Sequence, residues 1–263
     1  MIIYPICSSS KGNCTYVCNE NSGILIDAGL GIRSLYKHLD GVNFSKNDIK
    51  AIFITHEHTD HISGLQSIVR NLSIPIFASK GTISSLLDKN KIYVNSMLYE
   101  ISPKELVYID DFEISAFPTP HDCAESLGFC IYNNNKKFSI CTDVGYVTPI
   151  IKEKLIGSNL ILLESNYDRN LLQISPYPHH LKKRIVSKLG HLSNDNAAEL
   201  IKYLINNGVN NFILGHLSQM NNTPDLALQT IISCLVQQNL KINKDYLLNV
   251  APIRNNNSIT YEV

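Results

Sequence analysis

Residues 55–65 read THEHTDHISGL, and within six positions of that run stand four side chains able to ligate a metal ion: His56, His58, Asp60 and His61. The chain has nine histidines, and three of them fall here. A polar turn that merely holds several histidines would be the plainer account, and this density argues against it. Imidazole nitrogens beside a carboxylate suit Zn²⁺, Mn²⁺ or Fe²⁺. An ion so held can activate water or polarise a phosphoryl oxygen.

Two further histidines sit in a repeated tetrapeptide. GHLS occurs at 190–193 and again at 215–218, carrying His191 and His216. Their surroundings differ. His191 precedes SNDNAAELIKYLINNG, where Ser193 or Asn194 can cap a helix with Ala197, Leu200, Ile201, Leu204 and Ile205 on one face, ending near Gly208. His216 instead ends the apolar run NFIL. One imidazole belongs to a loop at a helix start and the other to a strand end, so different roles are expected.

Positioning such residues requires strands that end together. Strand-like runs are TYVCN, GILIDAG, AIFITH, PIFAS, FEISAFPT, LGFCIYN, KKFSICTD, NLILLES and NFILGH, and the N-terminal MIIYPIC also enters a strand. Helical patterns are IRSLYKHL, GLQSIVRNL, TISSLLDKN, LKKRIVSKL and NAAELIKYLINN. Asn133–Asn135 reads as a hairpin loop. Two β-rich halves, each followed by helices and with no low-complexity linker, predict one α/β domain over residues 1–263, with sheets inside and helices outside.

Composition narrows the function classes. At 44% hydrophobic, 263 residues can bury a substantial core. Lys and Arg (23) balance Asp and Glu (23), which excludes holding nucleic acid by bulk charge. The seven cysteines form no C-x-x-C pair and several lie in apolar runs, which fits buried free thiols in a reducing, cytoplasmic setting. No apolar run approaches a membrane span and no leader pattern is present, so no membrane partner is expected.

The H-x-H-x-D-H pattern at 56–61 resembles the signature of the metallo-β-lactamase superfamily, and FPTPHD, SICTDVG and NFILGH follow in that superfamily's order. The resemblance implies an αββα sandwich with two divalent ions, Zn or Mn with Fe admissible. One ion would sit on His56, His58 and His121 and the other on Asp60, His61 and His216, with Asp143 bridging them. LIDAG resembles the superfamily's early Asp motif, which makes Asp27 an orienting group. Flavodiiron-type members resemble H-x-E-x-D-H, whereas position 58 here is His. Taken together, SSSKGNCTYV, THEHTDHISGL, PTPHDCAESLGF, ESNYD and GHLSNDNAA resemble the YycJ (WalJ) family, described as 5′-to-3′ double-stranded DNA exonucleases. His121 and Asp143 stand too close in sequence for the long arm of tRNase Z, and Asp143 and His216 too close for a β-CASP insertion.

That resemblance implies phosphodiester hydrolysis by a hydroxide bridging the two ions, with Asp60 both a ligand and an orienting group. His191, held by Glu164, would be a proton donor to the leaving oxygen. The substrate would be duplex DNA. Between Asp168 and Asp195 no acidic residue occurs, but Arg169, Lys182, Lys183, Arg184 and Lys188 do. Lys182, Lys183 and Arg184 are the candidate backbone contacts, with Ser9 and Lys11 of SSSKGN as a second set. A solvated helix face and a polar hairpin turn account for the two stretches without a ligand. The alternatives are an RNA-processing enzyme, a cyclic-phosphodiester or glyoxalase-II-like thioester hydrolase of the same fold, or a non-catalytic metal-binding module.

Overall fold

A computed structural model describes residues 1–92 and 96–263. The first sheet is built from β1 (Ile2–Ser9), β2 (Gly12–Cys18), β3 (Gly23–Ile26), β4 (Ile49–Phe53), β5 (Ile76–Ala78) and β6 (Leu98–Glu100). The second holds β7 (Leu106–Ile109), β8 (Phe112–Pro118), β9 (Leu127–Asn133), β10 (Lys136–Cys141), β11 (Leu160–Glu164), β12 (Asn211–Gly215) and β13 (Leu247–Val250). The last strand, β14 (Tyr261–Glu262), returns to the first sheet beside β1. Their spatial orders are β14-β1-β2-β3-β4-β5-β6 and β13-β12-β11-β10-β9-β8-β7.

The two sheets face each other across one apolar layer. Ile3, Val17, Ile24 and Phe53 of the first meet Phe112, Ile114, Phe129 and Phe138 of the second, with the Phe53 and Phe129 rings edge to face at 5.6 Å. Helices α1 (Ile32–Asp40), α2 (Thr59–Ile62), α3 (Leu65–Leu72) and α4 (Lys80–Asp88) follow strands of the first sheet, and α1, α3 and α4 cover its outer face. On the other side, α5 (Pro149–Leu155), α8 (Asn194–Ile205) and α9 (Pro224–Val236) cover the second. The short helices α6 (Arg169–Ile174) and α7 (His179–Ile185) stand off the sandwich on a small core of Tyr167, Leu172 and Ile185. This is the expected αββα architecture. Burial on both faces explains why LILLE in β11 is apolar without alternation.

Local signals account for most boundaries. Ser193 caps α8 by accepting the Asn196 amide, and Gly208 beyond it takes φ +86°. Asn134 and Asn135 both take positive φ in the β9–β10 turn. Helix α9 was not among the expected elements. Its start is nonetheless written in TPD, with Thr223 accepting the Leu226 amide and Pro224 in the first turn. Five cysteines are buried and all seven are free. No helix among the described residues is long and apolar enough to cross a membrane.

Strand direction, more than strand order, decides where the loops gather. Strands β3 and β4 are parallel, as are β10, β11 and β12. Strand β8 runs antiparallel to β9, which runs antiparallel to β10, so β8 points the same way as β10. By the same count β1 points with β3. The segments that leave β1, β3, β4, β8, β10, β11 and β12 therefore emerge at one end of the sandwich.

Candidate metal centre

Asp27, His56, His121, Asp143, Glu164 and His216 lie at the ends of those strands or just beyond them, one to three residues past the last paired position or, for Glu164, on it. Asp27, Asp143 and His216 take φ of +62°, +57° and +54°. Non-glycine residues adopt that left-handed backbone rarely, and here each instance stands where a strand of the sandwich has just ended.

Two groups of ligand atoms converge. His56 Nε2 is 3.0 Å from His58 Nδ1, which is 3.2 Å from His121 Nε2. Beside them, Asp60 Oδ2 lies 3.3 Å from His61 Nε2 and 3.5 Å from His216 Nε2. The Asp143 carboxylate spans the groups, with Oδ2 3.3 Å from His61 Nε2 and Oδ1 3.6 Å from His121 Nε2.

The far side of most of these rings is anchored. His61 Nδ1 meets Asp27 Oδ2 at 2.7 Å, and Asp27 in turn accepts the Thr55 amide and hydroxyl. His121 Nδ1 donates to the Gly190 carbonyl at 3.0 Å, and His56 Nδ1 lies 3.0 Å from Thr55 Oγ1. With one nitrogen committed, the other keeps its lone pair for the centre, the usual arrangement around a metal-binding histidine.

The charges also call for a cation. Asp27, Asp143 and Glu164 are at most 2% exposed, and buried carboxylates are stable only when paired. Burial works against ionisation of Asp60, yet His61 and His216 outweigh it and hold that carboxyl far below the usual range. Burial opposes a charge on His61 as well, but Asp27, Asp143 and Asp60 raise it well above the ordinary imidazole value. His58 Nδ1 lies within 3.2 Å of both His56 Nε2 and His121 Nε2, and one proton on it cannot satisfy both rings. Among the described residues, His216 Nε2 and Asp143 Oδ2 are buried with no hydrogen-bond partner. The donor set therefore fits divalent metal.

The two GHLS histidines meet on one carboxylate. Glu164 Oε1 accepts from His191 Nδ1 at 2.9 Å and from His216 Nδ1 at 2.8 Å. Its other oxygen accepts the Val144 and Leu192 amides, both at 2.9 Å. Burial opposes the charge on Glu164, but the two imidazoles prevail and hold its pKa at about 2. His216 is 2% exposed and His191 is more open, and both line a cleft of about 220 Å³ together with His58, Asp60 and Asp143.

The family described as "Beta-lactamase superfamily domain" matches residues 23–216. An "Exodeoxyribonuclease YycJ" of Bacillus anthracis is 30% identical over 92% of this chain and 91% of its own length. An "Exodeoxyribonuclease WalJ" of Streptococcus pneumoniae is 31% identical over 92% of this chain and 90% of its own. The chain belongs to the YycJ/WalJ family of the metallo-β-lactamase superfamily. Among solved structures, the metallo-β-lactamase fold protein YhfI from Bacillus subtilis covers the whole chain with a TM-score of 0.73 at 16% identity, a likeness of fold.

The proposed substrate contacts of this YycJ/WalJ family member are more scattered. Of the basic trio, only Arg184 reaches the cleft, where its guanidinium forks onto Asp122, with Nη2 2.9 Å from Oδ1. The Lys182 ammonium donates to the Gln173 carbonyl, and Lys182 and Lys183 line a separate groove with Arg169 and His179. Ser9 is 1% exposed and its hydroxyl accepts the Lys11 amide, so it shapes the hairpin turn. Its neighbour Ser10 faces the cleft.

Four supporting residues escaped the sequence reading. Asn13 donates to Asp60 Oδ2 at 3.0 Å. Ser8 Oγ accepts the His216 amide, and Asn166 donates to its carbonyl, both at 2.8 Å. Tyr177 walls the cleft. Nothing in the types Asn and Ser marks such roles; only SSSKGN, as a unit, pointed at the rim. Gly29 ties the layout together, because a Cβ there would lie 1.8 Å from the Asp60 carbonyl and 2.4 Å from the Asn13 amide. Gly29→Ala is expected to cost about 1–3 kcal/mol or more in unfolding free energy and to lower metal affinity by displacing Asp60. Denaturant titration and metal analysis check both.

Proposed function

We propose that this protein is a metal-dependent phosphodiesterase that degrades duplex DNA from 5′ ends, working with two divalent ions, Zn or Mn. The observation that carries the reading is the Glu164–His191 pair opening onto the same cleft as the ligand cluster. The two relatives named exodeoxyribonucleases, which match over nine-tenths of the chain, support DNA as the substrate.

In this reading His56, His58 and His121 hold one ion and Asp60, His61 and His216 the other, with Asp143 between them. When bound, such ions neutralise charge on the phosphoryl oxygens and activate water. The protein supplies the remaining parts. Asp60, steadied by the Asn13 amide, orients the attacking water. His191 takes its tautomer from Glu164, because Nδ1 must carry hydrogen to donate to that buried carboxylate, and so presents Nε2 to the cleft. From there it delivers a proton to the 3′-oxygen as the phosphorus–oxygen bond breaks. Arg184 stands at the mouth, where a phosphate competes with Asp122 for its fork.

The test is cleavage with Mn²⁺ or Zn²⁺ of duplex DNA labelled at either end, single-stranded DNA and RNA. Release of mononucleotides from the 5′ end of the duplex supports the reading. Metal-replete protein that cuts no nucleic acid would overturn it and favour small phosphodiesters or thioesters. His191→Ala is expected to lower turnover by about 10²–10⁴-fold with metal content unchanged, as befits a lost proton donor. Metal loss in that variant would instead make His191 a ligand.

A further inference from the structure

A second cavity lies beside the metal cleft, not in it. It encloses about 750 Å³ between the β1–β2 hairpin, the loop that follows His216 and the loop that follows β13. Both spaces share Ser218, and adjacent hairpin residues face them, Ser10 the cleft and Lys11 the cavity. A backbone bridge between Ser9 and Leu217 forms the wall between the two. A strand lying across the metal cleft can therefore pass over this lip.

The lining has a definite chemistry. Among the described residues, Lys11 and Arg254 are its only charged side chains, both exposed, and no acidic residue lines it. The Lys and Arg ion pairs among the described residues lie elsewhere, at Lys89, Arg169, Arg184 and Lys202. Leu30, Leu217, Pro252 and Ile253 supply apolar walls. Two uncommitted cations over an apolar recess of this size match one nucleotide with its phosphate. A duplex is far too wide to enter, so the occupant is unpaired.

Orientation follows from the opposite wall. His216 separates the hairpin from His191: its amide donates to Ser8, while the amide of His191, whose ring lies 5.3 Å away between centroids, donates to Ile185 at the end of α7. The leaving oxygen faces His191, so the cavity lies on the other side of the phosphorus. We propose that this cavity holds the nucleotide on the 3′ side of the cut, with Lys11 and Arg254 on its next phosphate. The proposal rests on the nuclease reading, with His191 on the leaving side. It makes fraying of the duplex end part of binding, since the retained strand must leave its complement to enter.

The experiment is a substitution cycle on metal-loaded protein. One duplex carries a neutral methylphosphonate at the linkage 3′ of the scissile one. A second carries a 5′-hydroxyl in place of the 5′-phosphate. The expected result is that Lys11→Ala with Arg254→Ala slows the unmodified duplex by about tenfold or more. The methylphosphonate should slow the wild type by a similar factor and the double variant by less than about twofold. The ratio of rates on 5′-phosphate and 5′-hydroxyl ends should be the same in both proteins. If the double variant instead loses discrimination at the 5′ end, the cavity takes the leaving nucleotide and the assignment is overturned. A double variant as fast as wild type on every duplex also overturns it, with the nuclease reading intact. Wild type inert on every duplex removes both. The two side chains are exposed, so the variant folds.

Discussion

Asp143→Ala is expected to abolish cleavage, by more than about 1,000-fold, and to strip metal from the protein. Removing a single electrostatic stabiliser from an active site costs about 10²–10³-fold. Asp143 does more than one such group, because its two oxygens reach His61 on one side and His121 on the other. Its Oδ2 is buried with no hydrogen-bond partner among the described residues, which suits an acceptor kept for a cation. Without it the two histidine groups retain their lone pairs but lose the anion between them. The readout need not be activity. A ligand that binds only the folded state raises stability by about 2.7 kcal/mol at a hundred times its Kd. Wild-type protein should therefore melt higher when Mn²⁺ or Zn²⁺ is added, and Asp143→Ala should lose most of that rise. The same variant holding wild-type metal with an undiminished rise in Tm would remove Asp143 from the centre.

The centre was legible in the sequence to the extent that its residues are rare types at strand ends. His56, His58, Asp60 and His61 are close in the chain, so one turn brings them together. His121, Asp143 and His216 lie far apart, and residue spacing alone says nothing of their meeting. Their order within a known motif set was what united them, and parallel strands ending at one edge are the physical cause. The sharing of Glu164 was not legible. A Glu at the end of LILLE and two GHLS turns are each ordinary, and only the β11–β12 pairing brings His216 opposite a carboxylate already facing His191. The basic run 182–184 divides between two grooves for a similar reason. Three cations in sequence on a helix diverge around it, so Arg184 faces the cleft while Lys182 and Lys183 face another groove. Ser9 is buried, and its hydroxyl accepts the Lys11 amide within its own turn.

Glu164→Gln carries the second large effect, and it separates orientation from charge. The carboxylate has four donors on it, two imidazoles on Oε1 and two backbone amides on Oε2. A glutamine has the same shape but turns one oxygen into a donor. Placed toward Val144 and Leu192, its amide opposes two backbone N–H groups; placed toward the rings, it opposes two imidazoles. Either way two buried donors lose their acceptor, at about 1–3 kcal/mol each. A fall in unfolding free energy of about 2–6 kcal/mol is expected. Activity should fall at least as far as in His191→Ala. Metal affinity should fall about 10–100-fold as well, the usual consequence of removing a partner that orients a ligand. That last loss is the discriminating one, since His191→Ala leaves His216 on its anchor. Were Glu164→Gln to bind metal like wild type and match His191→Ala in turnover, Glu164 would serve only the proton donor. His216 would then need no carboxylate to hold it, and the two GHLS turns would be joined at Glu164 in structure but not in function.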